Sequence, residues 1–271
     1  MRRGNTMSQD RVSVTITEQG IAYVRLDRPE KRNALDRAML SDLVATARKL
    51  KKNKQLRAVI LSGEGASFCA GLDFPYVAKH PDIIPRFFLK LPWSQDNMFQ
   101  RVGHIWRSLP VPVIAAVHGH CFGGGLQIAL GCDVRFTTAD AQWSIMEIKW
   151  GLIPDMSGTV ALSRLMRYDI AQELTMTGRI ISGADAVAYG LATHCVDDPI
   201  AAATQLAEEI SERSPNAVAV TKGLFAKIWK AGDRRALFWE RMYQLRLLGR
   251  KNQRIAMSNG IKGENRPFES R

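Results

Sequence analysis

Two carboxylates stand eight positions apart in this 271-residue chain: Glu147, between Met146 and Ile148, and Asp155, just past Pro154. A carboxyl group buried among such apolar neighbours loses hydration. Its pKa then rises toward the range where one group can both take and return a proton near neutral pH. Gly151 and Pro154 bracket a turn, so both acids can face one cavity. Asp155 equally fits a helix N-cap ahead of Ser157 and Gly158, and the spacing leaves both roles open.

Two glycine-bearing loops are the other chemical feature. Residues 67–73 (SFCAGLD) follow an apolar strand, and Gly123, Gly124 and Gly125 lie between a strand and a helix. Glycine lets a ligand approach the main chain, and a helix start adds unsatisfied N–H groups and the positive end of its dipole. Two such amides aimed at one point make an oxyanion hole. Each loop alone also reads as an ordinary tight turn. Gln127, one helical turn on, has no ionisable group and can hold water or substrate only by hydrogen bonds. No GxxxxGK[ST] or GxSxG motif is present. His118 and His120 belong to no HExxH or Cys/His cluster, so no metal is expected.

Several elements must position these groups. The spacing predicts strands over 12–17 and 21–26 joined by a turn at Gly20, then a helix behind a cap at Asp36 with Met39, Leu40, Leu43, Val44, Ala47 and Leu50 on one face. Strands follow over 57–61, 113–117 and 134–137, with a helix over 126–132 between the last two. Strand–helix–strand order implies crossovers and a partly parallel sheet. Beyond 157 the pattern turns helical, with helices over 199–213, from 215, and over 234–248. The division is a leader over 1–10, expected to be disordered, with Met7 a second candidate start; an α/β core over 11–195; and a helical region over 196–271. Aromatics crowd 74–106, either as core packing or as the wall of an apolar pocket.

Composition narrows the class. Forty-six per cent hydrophobic and 24% charged residues describe a globular domain, and no apolar run reaches the length of a bilayer crossing. Four cysteines without a CxxC pair, and an N-terminus without an apolar signal core, point to a reducing, cytoplasmic setting. A net charge of +12 favours anionic partners such as phosphate-bearing ligands or nucleic acid.

In order along the chain, 26–35 (LDRPEKRNAL), 68–73 (FCAGLD), 118–125 (HGHCFGGG), 131–133 (GCD), 147–154 (EIKWGLIP) and 174–179 (LTMTGR) resemble the crotonase (enoyl-CoA hydratase/isomerase) superfamily over nearly the whole length. The resemblance implies a ββα spiral core with a C-terminal helical trimerisation region, commonly a hexamer built as a dimer of trimers. It implies acyl-CoA thioester substrates with no separate cofactor, since coenzyme A is part of the substrate. It also implies a thioester enolate held by the backbone N–H groups of Leu72 and Gly124. Lys31, Arg32, Ala34, Ala70 and Asp73 fall where the family meets coenzyme A and substrate. Glu147 matches a family glutamate, and Asp155 stands where dienoyl-CoA isomerases carry an aspartate, although those isomerases usually also carry an acid at the position of Gln127. Gln127 replaces the first glutamate of the hydratases. An amide cannot take a proton from water, so double-bond isomerisation is favoured over hydration. A basic RNA-binding protein on the same scaffold is the rival from another class, resting on the +12 charge and the lysine-rich run 48–54.

Overall fold

The computed structural model describes residues 5–8, 11–90 and 92–271. Strands β1 (Asn5–Ser8), β2 (Val12–Ile16) and β3 (Ile21–Leu26) pair antiparallel. β1 lies inside the segment expected to be a disordered leader; residues 1–4, 9 and 10 of that segment are outside the described residues. Helix α1 (Arg37–Lys52) starts where Asp36 accepts a hydrogen bond from the Met39 amide, and it buries the six residues read from its periodicity together with Thr46. It crosses to β4 (Ala58–Gly63), which is buried at every residue and parallel to β3.

Three short helices follow, α2 (Phe74–Lys79), α3 (Ile83–Phe88) and α4 (Met98–His104). The chain returns as β5 (Val113–Val117), β6 (His120–Phe122), α5 (Gly124–Leu130), β7 (Val134–Thr137) and β8 (Gln142–Ser144). Then come α6 (Gly158–Leu165), α7 (Tyr168–Thr177), β9 (Ile181–Ser182), α8 (Gly183–Ala188) and β10 (His194–Cys195). The main sheet runs β1-β2-β3-β4-β5-β7-β10, parallel from β3 onward, and β6, β8 and β9 form a second, smaller sheet.

Both faces of the main sheet are covered, which is why β4 and β5 read as unbroken apolar runs. Val59, Leu61, Val113 and Ala115 join the large core with α1 and α5; Ala58, Ile60, Ile114 and Ala116 pack on the other face against Ala203 and Ala207 of α9 (Pro199–Ser211). Each fully buried Val, Leu or Ile among these contributes about 1.5–3 kcal/mol, and each alanine methyl group less. Helices α10 (Pro215–Ile228), α11 (Asp233–Gln244) and α12 (Lys251–Lys262) complete the chain. Lys222 fastens α10 to the core, donating to Asp133 at 2.6 Å and to the Val111 carbonyl at 2.8 Å. No helix among the described residues is long and apolar enough to cross a membrane.

Several element boundaries, and the presence of α12, differ from the expectation. The helix expected over 126–132 begins earlier, at Gly124, because Gly123 turns the chain at φ +49°. Helix α12 carries a weak, mostly polar pattern (KNQRIAMSNGIK) and buries only Asn252 and Ile255.

Candidate active site

The two glycine loops lie side by side just beyond the C-terminal ends of β4 and β5, where open parallel sheets place their ligands. Gly71 O accepts from the Leu35 amide at 2.8 Å, and the Asp73 amide donates to Leu35 O at 3.0 Å. Residues 71 and 73 thus bond one side, and the alternation of an extended chain turns the Leu72 N–H to the other. Gly71 has φ +89°, and a Cβ there would stand 2.9 Å from Phe122 O and 3.6 Å from the Gly124 nitrogen. The Gly124 N–H opens α5, where it has no partner within the helix. Further bonds zip the loops together, from the Cys69 amide to His120 O at 2.8 Å and from the Phe122 amide to Cys69 O at 3.0 Å.

Asn33 braces this arrangement from below. It is buried in the left-handed region at φ +55°, donates from Nδ2 to Glu64 O and Ser67 O, and accepts the Arg28 amide. His118 and His120 bond the same strand-to-loop connection, through Gly65 O and Ser67 Oγ respectively.

Glu147 stands on a 3-10 turn, Met146–Trp150, that ends at Gly151 in the left-handed conformation. It is only 8% exposed. A Cβ on Gly123 would lie 3.4 Å from its Oε1, so the carboxyl rests against the start of α5. Oε1 accepts from Gln127 Nε2 at 2.6 Å, whereas Oε2 is buried without a partner. Burial pushes its pKa up, and the charge of Asp155 adds to the rise; the Gln127 hydrogen bond opposes it. Asp155 does not cap α6: Ser157 occupies the N-cap position, and Asp155 joins the cavity wall. Asp155 is exposed as a residue, yet partial burial of its carboxyl also raises its pKa.

These groups share a cavity of about 190 Å³. Its polar rim is Glu147, Asp155 and the Gly71–Leu72 and Gly123–Gly124 main chain, and its walls include Phe74, Phe88, Phe99, Trp150 and Met156. Phe74 stacks on Trp150 with ring centroids 4.0 Å apart. The aromatic segment therefore divides: Phe74 and Phe88 meet the cavity, Phe87 and Trp106 belong to the core, and Phe99 belongs to the core and also lines the cavity. A larger cavity, about 550 Å³, lies below α10 near the N-terminal ends of β5 and β7; its one carboxylate, Asp133, is held by Lys222.

Of the residues singled out from the sequence, Ala70, Leu72, Gly124, Glu147 and Asp155 meet at the cavity. Gln127 and Asp73 stand behind it. Gln127 is fully buried against Glu147, so its expected contact with water or substrate gives way to a bond with the carboxylate. Asp73 caps α2 through the Tyr76 amide and pairs with Arg28 at 2.7 Å; burial acts to raise its pKa, but these partners outweigh it and hold the carboxyl below its usual range. Lys31 and Arg32 are exposed, and Ala34 O accepts from Arg28. Arg28, Asn33 and Met156 were not singled out, although the first two lie within the quoted 26–35 motif.

A family model described as enoyl-CoA hydratase/isomerase matches residues 16–269. The chain belongs to the enoyl-CoA hydratase/isomerase family. It is 34% identical over 221 residues to the rat (Rattus norvegicus) mitochondrial Delta(3,5)-Delta(2,4)-dienoyl-CoA isomerase, covering 78% of this chain and 67% of the relative. It is 33% identical over 207 residues to the (E)-benzylidenesuccinyl-CoA hydratase of Thauera aromatica, covering 74% of this chain and 77% of that one. The crystal structure of an enoyl-CoA hydratase from Bacillus anthracis superposes with a TM-score of 0.87 at 26% identity, covering 97% of this chain and all of the other. Family membership accounts for the fold and makes the chain an enzyme of CoA thioesters. Both chemistries, double-bond shift and water addition, occur among its relatives.

Proposed function

We propose that the protein isomerises double bonds in enoyl- or dienoyl-CoA thioesters. One observation carries this reading: at the cavity the Gly71–Leu72 and Gly123–Gly124 main chain meets a carboxylate with one oxygen held by Gln127 and the other without a partner, and Gln127 itself fills the place of the first hydratase glutamate. The thioester oxygen lies between the Leu72 and Gly124 N–H groups. Glu147 Oε2 takes the proton from the carbon next to the thioester carbonyl. The C–H electrons move into the carbonyl system, and the two amides hold the enolate oxygen that forms. When the electrons return, the double bond moves into conjugation and the far carbon takes a proton. Asp155, on the solvent side of the cavity, supplies it, and proton exchange with water afterwards returns Glu147 to the ionised form and Asp155 to the protonated one.

An absorbance assay tests the reading. A 3-enoyl-CoA should gain the absorbance of a conjugated thioester, whereas a trans-2-enoyl-CoA should lose little of it; rapid bleaching of the 2-enoyl substrate with no gain from the 3-enoyl one favours hydration. Asp155→Asn should cut isomerase turnover by about tenfold or more with folding intact, because Asp155 does not cap α6 and asparagine has nearly the same shape. Unchanged turnover removes it from the proton path.

The reading extends to assembly and setting. Phe225 (49% exposed), Trp229 (61%) and Phe238 (45%) leave an apolar face on α10 and α11 that a monomer would show to water. A trimer or a dimer of trimers covers it. Sedimentation at micromolar protein should find a species well above the 30.2 kDa chain mass, and a single boundary at that mass contradicts the assembly. The buried thiols Cys69, Cys121 and Cys132 are all unpaired and suit a reducing compartment such as the cytoplasm.

A further inference from the structure

We infer that Gln127 is a positioning residue that dictates which oxygen of Glu147 carries the proton, occupying Oε1 and leaving Oε2 as the working atom. The inference rests on the proton-transfer role proposed above for Glu147.

Gln127 is 1% exposed and lies on α5, behind the cavity wall. Its Oε1 accepts two backbone N–H groups, from Met156 at 2.7 Å and Gly158 at 2.9 Å. Those two donors fix the orientation of the amide. A flipped side chain would press its NH₂ against two N–H groups, which cannot accept. The NH₂ must therefore face Glu147, and it meets Oε1 at 2.6 Å. An NH₂ group cannot accept a proton in a hydrogen bond, so a protonated Glu147 carries its hydrogen on Oε2. Oε2 is also the oxygen left without a partner, although it is buried. Buried polar atoms without partners are uncommon, and the residue that bears this one lines the cavity that substrate would fill.

The same amide ties the turn bearing Asp155 to α5. Gly158 makes room for it: a Cβ at 158 would lie 2.7 Å from the Gln127 side chain. A glutamate at 127 would keep one oxygen for the two amides and set the other against Glu147, and two carboxylates that close share one proton. Gln127 thus commits the site to one titrating carboxyl on this side of the cavity. Among the described residues, the other ionisable group acting on Glu147 is Asp155; Lys149, on the same turn, is exposed.

The test titrates Glu147 directly, by infrared difference spectra of its carboxyl band with Glu147→Gln as the blank. It compares wild type, Gln127→Met and Gln127→Glu. Loss of the donor in Gln127→Met should raise the Glu147 midpoint by about one pH unit and lower kcat by about tenfold, with KM changed little. Gln127→Glu keeps the acceptor for both amides and should turn one titration into two coupled ones. If Gln127→Met does not fold, Gln127→Glu alone decides. An unmoved Glu147 midpoint in a folded variant, or a KM defect with kcat preserved, overturns the inference. Midpoints that move as expected in a protein inactive on every enoyl-CoA leave the positioning role standing and refute the reaction instead.

Discussion

Glu147→Gln is expected to lower kcat by about a hundredfold or more while leaving acyl-CoA affinity nearly unchanged, the pattern of an interaction made only in the transition state. The substitution is nearly isosteric. The new amide oxygen can still accept from Gln127 Nε2, so the turn over Met146–Trp150 keeps its anchor while the proton acceptor at Oε2 is lost. In the wild type, a base works only when ionised, so activity should fall as the pH drops through the pKa of Glu147. Burial raises that pKa, so the acid limb of the rate profile should lie above the ordinary carboxylate range and should vanish in the variant. Steady-state kinetics across pH check both points. A variant with near wild-type kcat removes Glu147 from the mechanism.

Gly124→Pro should be comparably severe, with turnover down about a hundredfold, because it deletes one of two oxyanion donors. Proline is tolerated at the first position of a helix, so α5 itself can persist. The added carbon is the complication. A Cβ at 124 would stand 2.7 Å from Met156 Sδ and 2.9 Å from Leu35 Cδ1, contacts that flexible side chains must relieve. Gly124→Ala introduces the same Cβ and keeps the N–H, so the difference between the two variants separates the cost of that carbon from the loss of the amide together with the proline ring. Equal turnover in folded Gly124→Ala and Gly124→Pro proteins contradicts the assignment.

The two groups behind these effects were legible to different degrees. Glu147 is visible as one acid in an apolar run, and β4 and β5 as unbroken apolar strands covered on both faces. The family motifs carried the amides of Leu72 and Gly124, since a glycine loop alone does not say where its N–H points. What pattern could not supply is the partnering of side chains. Asp73 and Asp155 look alike as acids beside turns, yet Asp73 is drawn into an ion pair with Arg28 some 45 positions away, and Asp155 is left facing the cavity. Gln127 looked like a water ligand because its bonds to Met156 and Gly158 form only when the chain returns 29 and 31 residues later. Strands of two or three residues, as in β6, β8 and β9, are too short to carry a period.

The most direct test of the proposed reaction is the identity of the product. Wild type and Glu147→Gln are incubated with 3-enoyl-, 3,5-dienoyl- and trans-2-enoyl-CoA, and the products are separated and weighed. Isomers of unchanged mass with shifted double bonds should dominate for the wild type, with little product one water heavier, and the variant should form neither. A hydrated thioester as the main wild-type product, or undiminished isomerisation by Glu147→Gln, contradicts the account.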